Sequence, residues 1–287
     1  MNYTIKIDES RCLACGTCAK ECQRHLPVHR VGEPVAGALE CIGCLHCYAV
    51  CPQGAISVDL GDEAALPEVG AEAESFFDLI GRRRSCRIFK DRQLEPDTLN
   101  TLTRAAAYVP SGGNSHSHRL TILTDGEQRR HLERELEKIY HQRRLLLKNV
   151  FLRSLGILFA DAQMRAFLRD RTYLRRITFL LDRFAAGEDP IFYKAPAIVF
   201  VHSAQPIPTP REDSILAAYN IVLAAQTLGI GSCFVSLAQN AINSSRALKA
   251  ILGMDRREQI HAVVVLGYSA VRFQRLVPRT AVPVRAC

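Results

Sequence analysis

Eight of the chain's eleven cysteines fall between Cys12 and Cys51, in two copies of one spacing. The first copy is Cys12-x2-Cys15-x2-Cys18-x3-Cys22, and the second is Cys41-x2-Cys44-x2-Cys47-x3-Cys51-Pro52. Thiols at i, i+3 and i+6 on a tight loop can turn toward one centre, while the fourth begins a short helix leading away from it. Zinc sites commonly take two Cys pairs separated by a longer loop, so the triple x2 spacing argues against zinc. Disulfides between residues this close would be strained. The N-terminal MNYTIKID also lacks the basic region and apolar stretch of a secretory signal. The spacing therefore points to two [4Fe–4S] clusters and one-electron chemistry in a cytoplasmic protein. No run approaches the ~20 apolar residues of a bilayer span, so no membrane association is expected.

Residues 1–60 resemble a bacterial-type two-cluster ferredoxin. In such modules the fourth cysteine of each run serves the other cluster. That implies Cys12, Cys15, Cys18 and Cys51 around one cluster, and Cys41, Cys44, Cys47 and Cys22 around the other. The first run ends Cys22-Gln23 where the second ends Cys51-Pro52, a change in chain exit that removes no ligand. Leu13, Ala14, Ile42, Gly43 and Leu45 are expected to pack on the clusters and limit water access. His46 and Tyr48 read as surface side chains beside a turn. Tyr3 to Asp8 and Ala55 to Asp59 alternate in polarity and are expected to pair as strands.

Three later stretches carry a second chemistry. Arg82-Arg83-Arg84-Ser85-Cys86-Arg87-Ile88-Phe89 gathers guanidiniums able to grip a phosphate bidentately. VPSGGNSHSH, residues 109–118, combines glycines for close backbone approach with the Asn114 amide, which donates and accepts as a heteroaromatic ring edge requires. GYSAVRFQRLVPR, residues 267–279, brings Arg275 and Arg279 after a strand. Gly229-Ile230-Gly231 lacks a third glycine and follows a helix, which rejects a dinucleotide-binding fingerprint. Cys86 and Cys233 read as small buried hydrophobes.

Taken in order with AAQTLGIGSCF at 224–234, these stretches resemble the FMN-dependent nitroreductase family over residues 75–287. The cysteine module ahead of them resembles that family's ferredoxin-fused branch. The resemblance implies FMN contacts from Arg83, Arg84, Ser85, Arg87 and Asn114. It further implies backbone at Val235, Ser236 and Leu237 facing the reactive flavin edge, a phosphate held by Arg275 with Arg279, and a homodimer. Where many relatives have Gln-Pro-Trp this chain has His116-Ser117-His118, which makes His116 and His118 candidate proton donors. The expected function is electron transfer from a donor, such as ferredoxin or another reductase, through two clusters to FMN. A small organic acceptor of nitroaromatic, quinone or activated-alkene type follows. The alternative is a redox-sensing or electron-relay flavoprotein without small-molecule turnover.

The elements that must position these residues follow from patterning. The acidic GDEAALPEVGAEAE, residues 61–74, reads as a linker between a 1–60 domain and a 75–287 domain. Helices are expected over 75–82, 95–108, 127–149 and 161–184, and from a Thr209 capping box to Gly229, with one more ending at Gly253. Strands are expected over 120–124, 197–201, 232–235 and 262–266. Without regular βαβ spacing, this is an α+β sheet covered by helices. The net charge of +8 is spread through interleaved runs such as RRHLERELEKIYHQRR, a solvated-helix pattern that argues against nucleic-acid binding.

Overall fold

In the computed structural model, the structure describes residues 5–22, 45–58, 76–111, 117–149, 151, 171–204 and 209–285. The 61–74 linker and the first part of the 161–184 helix lie outside these residues. The chain divides into two compact units, Met1–Lys90 with Ser269–Cys287, and Asp91–Tyr268.

The first unit contains β1 (Ile5–Ile7), α1 (Thr17–Glu21), α2 (His46–Val50), β2 (Ile56–Val58) and α3 (Phe76–Arg82). β1 and β2 pair antiparallel, Ile5 opposite Val58, as the alternating segments require. Each cysteine run leads into a five-residue helix through a left-handed residue, Gly16 at φ 72 and Leu45 at φ 56. The buried apolar residues Ile5, Leu45, Tyr48, Ala49 and Ile56 pack with Val277 from the C-terminal segment. Gln274 N–H donates to the Ala49 carbonyl at 2.6 Å, and Ala270 N–H to that of Ile88 at 2.9 Å. The C-terminal segment is thereby tied to both the cysteine module and the arginine motif.

The second unit contains α4 (Pro96–Ala106), β3 (His118–Leu123), α5 (Gly126–Lys148), α6 (Arg171–Ala185), β4 (Ala197–Ala204), α7 (Pro210–Thr227), β5 (Ile230–Phe234), α8 (Ser236–Asn243), α9 (Arg246–Ile251) and β6 (Glu258–Tyr268). The sheet order is β3-β4-β6-β5, and every pairing is antiparallel. One face, Val199, Val201, Val264 and Leu266, packs against Leu102 and Ala106 of α4 and Ala217, Ile221 and Ala225 of α7. The alternate residues Ile198, Phe200, Val263 and Val265 must face the other side and are also buried. α8 lies against β6, with α5 beside it and α6 against α5. Cover on both faces explains why β4 and β6 read as near-continuous apolar runs instead of the usual antiparallel alternation.

Two local expectations change. The segment before Gly253 is two helices, because Ser245 accepts from Leu248 N–H and starts a new one. Thr209 is the N-cap of α7 and its carbonyl accepts from Asp213 N–H at 3.1 Å, but it makes no side-chain capping bond; its hydroxyl instead donates to the Asp213 carboxylate at 2.8 Å.

Candidate functional site

The thiols of the first cluster assignment meet. Cys12, Cys15, Cys18 and Cys51 line one pocket with Ile7 and Ile56. Ala55 N–H points at Cys51 Sγ, 3.3 Å away, a hydrogen bond of the kind that tunes cluster sulfurs. The Thr17 hydroxyl, 3.4 Å from Cys15 Sγ, holds that thiol below its usual range, whereas burial pushes Cys18 up. No described group of side chains converges tightly enough for a single metal ion. Of the second set, Cys22 and Cys47 are half-buried, while Cys41 and Cys44 lie outside the described residues.

One expectation about the residues between ligands is corrected. His46 and Tyr48 are buried to 5% and 2% exposure, whereas Leu13, 66% exposed, lines the pocket of the four thiols. Spacing alone does not reveal that the second run is covered by the C-terminal segment, whose Phe273 ring meets His46 edge-on at 5.7 Å. Burial holds the His46 imidazole below its usual range, opposed by Glu21 and assisted by Arg87.

The arginine motif buries a guanidinium. Arg84 is 7% exposed, and its Nη1 turns back to the Gly81 and Arg83 carbonyls at 2.6 and 2.8 Å, satisfying the end of α3. Its Nε and Nη2, which share one edge of the guanidinium, are buried without a hydrogen-bond partner among the described residues. Burial and the nearby positive charges of Arg279 and Arg83 pull Arg84 down to about 10. A buried cation surrounded by like charge, with a bidentate donor edge unfilled, calls for an anion of phosphate or carboxylate geometry. The FMN phosphate fits this chemistry. Arg87 belongs to the same motif, and Cys86 is buried as expected.

Arg275 goes elsewhere. Its Nη1 donates to the Cys51 carbonyl, and a Cβ on Gly54 would overlap its guanidinium. Gly54 has φ +59, a left-handed conformation that favours glycine, whereas the guanidinium could swing aside. Arg279, not Arg275, accompanies Arg84.

In the second unit, Val235 is buried and Ser236 exposed, at the start of α8, and the Leu237 carbonyl accepts from Tyr140 at 3.0 Å. Cys233 is buried, as expected. Asn114 and His116 lie outside the described residues. His118 opens β3, its Nε2 2.9 Å from the Ala106 carbonyl. A carbonyl only accepts, so Nε2 donates to it, and Nδ1 is the ring atom free of that bond.

Four thiols around one pocket and a buried guanidinium prepared for an anion define an iron–sulfur protein with an attached anionic-cofactor domain on an α+β scaffold. The chain belongs to the nitroreductase family, which it matches over residues 80–268. Residues 4–52 match the 4Fe-4S dicluster domain, so the two modules are fused in one oxidoreductase chain. A candidate NADH dehydrogenase/NAD(P)H nitroreductase of Archaeoglobus fulgidus is 24% identical over 195 residues, 68% of this chain and 86% of that protein. A Desulfitobacterium hafniense nitroreductase solved with bound FMN aligns at TM-score 0.52 and 22% identity, over 74% of this chain and all of that one (100%). A Bacteroides fragilis nitroreductase, also with FMN, aligns at 0.50 and 22%, with the same coverages of 74% and 100%. At these identities the solved structures establish the fold.

Proposed function

We propose that this chain is an iron–sulfur flavoprotein that takes single electrons from a donor protein, such as ferredoxin or another reductase, and reduces a small organic acceptor. The acceptor class is nitroaromatic, quinone or activated alkene. The observation that carries the reading is the unfilled edge of buried Arg84 in the same compact unit as the cysteine pocket. Two [4Fe–4S] clusters would supply one-electron conduction, and FMN the conversion to two-electron chemistry. Arg84 would grip the FMN phosphate, with Arg83, Ser85 and Arg279 around it and Arg87 beside them. Asn114 and the backbone of Val235, Ser236 and Leu237 would meet the ring, as the resemblance implies. Cys12, Cys15, Cys18 and Cys51 would hold one cluster, and Cys22, Cys41, Cys44 and Cys47 the other. His116 and His118 are the candidate proton donors; with Nε2 engaged by the Ala106 carbonyl, His118 would act through Nδ1.

The second unit supports a homodimer. α7 buries one face in the core, yet Ile215, Leu216 and Tyr219 on another are 40, 41 and 37% exposed. A helix apolar on all sides is normally covered on all sides, and a second copy of the chain is the occupant we propose. Leu216→Glu should yield a monomer in sedimentation if that is so.

No described helix is long and apolar enough to cross a membrane. The main test is composition and reduction. Anaerobically purified protein should carry about eight iron and one FMN per chain. Dithionite-reduced ferredoxin should then bleach the flavin absorbance, followed by acceptor turnover. Intact clusters beside a flavin that ferredoxin cannot reduce would refute the reading.

A further inference from the structure

The two cysteine runs share a spacing and have opposite surroundings. In the first, Leu13, Ala14 and Cys15 are exposed. In the second, Leu45, His46, Tyr48, Ala49 and Val50 are all buried. His46 occupies the position that Thr17 holds in the first run. Its Nδ1 lies 3.1 Å from Glu21 Oε1, and Arg87 Nη1 lies 3.1 Å from the same nitrogen. Glu21 precedes Cys22 and His46 precedes Cys47, two residues assigned to one cluster, while Arg87 belongs to the arginine motif. One buried ring nitrogen therefore joins the loop of the second cluster to a flavin-motif guanidinium.

A ring nitrogen holds either a proton or a lone pair, so Nδ1 donates to Glu21 or accepts from Arg87, and not both. In either arrangement the Glu21 carboxylate, whose side chain is 0% exposed, and the Arg87 guanidinium stand on the two sides of one ring. Phe273 fixes the ring's tilt at 72°. Arg87 also donates toward the Ser85 carbonyl at 3.4 Å, so the ring and the motif backbone together aim the guanidinium. Shifting the ring shifts that aim.

We propose that Glu21 and His46 are positioning residues for Arg87, through which the loop of the second cluster sets the chain's affinity for its flavin. The inference rests on the FMN reading above. Because binding couplings are reciprocal, bound FMN should in turn slow iron loss to a chelator.

The test uses the iron-loaded full chain, with the FMN Kd read from flavin fluorescence. Iron content and the EPR spectrum of the reduced clusters are recorded on the same samples. His46→Ala should raise the Kd about tenfold or more, the scale of a lost charge-assisted hydrogen bond, with iron content unchanged. His46→Asn places a polar atom near the position of Nδ1 and should recover most of the affinity. A His46→Ala Kd equal to wild type overturns the link, as does a His46→Asn no better than His46→Ala. Should His46→Ala shed iron, Glu21→Gln decides: a weaker Kd with full iron supports the link, and an unchanged one overturns it. Wild-type protein that binds no FMN removes the proposed function itself, whereas FMN-binding protein insensitive to these changes removes only the link.

Discussion

Asp91–Tyr268 buries both faces of a four-stranded sheet, with Phe192, Phe200, Ile221 and Tyr140 at 0 to 1% exposure. The unit of Met1–Lys90 and Ser269–Cys287 has, among its described residues, a small apolar cluster around Ile5, Tyr48, Ile56 and Val277, beside a two-stranded sheet. It also buries Val50, Ala55 and Cys86, together with three polar groups, Glu21, His46 and Arg84. Against the entropy of ordering the chain a core of that size contributes little, so under the proposed function metal–thiolate bonds would add folding free energy in this unit. The other unit has the larger described apolar core. Binding and folding are then expected to be coupled more tightly in the first unit than in the second.

Iron removal should separate the units most sharply. Chelation under reducing conditions should expose Met1–Lys90 and Ser269–Cys287 to protease while leaving a resistant fragment close to Asp91–Tyr268, read by mass spectrometry. Simultaneous digestion of both units would show that the larger one also depends on the metal. Next in size, Phe200→Ala should cost about 3–5 kcal/mol in urea unfolding of iron-loaded protein, because it empties a fully buried site between helix and sheet. Iron content should not change. Arg84→Met removes a buried cation that has no counter-charge among the described residues. It should raise the FMN Kd more than about tenfold, yet leave the melting temperature of flavin-free protein no lower than wild type. A lower melting temperature would mean that Arg84 serves the fold rather than the anion.

The smallest effect concerns pH and belongs to the packed unit. Burial, then the neighbouring Asp189 carboxylate, raises Glu133 to about 8, against the opposing pull of Arg129 3.1 Å away. Asp189 is committed to the N–H groups of Ile191, Phe192 and Lys194. With the folded pKa above the unfolded value, the native state holds the extra proton. Stability from this group is present at low pH and falls as pH rises from about 4.5 through 8. Glu133→Gln, which keeps the neutral form, should flatten that decline in melting temperature between those limits.

Much of the chemistry was legible in the sequence because ligand spacing is local. Cys12, Cys15 and Cys18 can approach one centre through a single loop whatever surrounds them, and distant Cys51, which the repeat pairs with them, lies on the wall of the same pocket. The sheet was legible for a related reason. Strands covered on both faces read as apolar runs, and their ends were missed by only a few residues, since β4 reaches Ala204 and β6 begins at Glu258. The neighbours of each cysteine were not legible. Leu13 and Leu45 are the same residue type in similar surroundings of sequence, and one is exposed while the other is buried.

The sequence by itself determined the cysteine repeat, the arginine motif and the α+β class, because those depend on residue type, spacing and periodicity. Only the tertiary structure decided that Arg275 serves the Cys51 carbonyl, that Arg84 keeps an unfilled donor edge, and that His46 stands between Glu21 and Arg87. Each depends on chain segments tens to hundreds of residues apart meeting in space. A guanidinium takes whichever acceptor the packing brings to it, and no local pattern records which one that is.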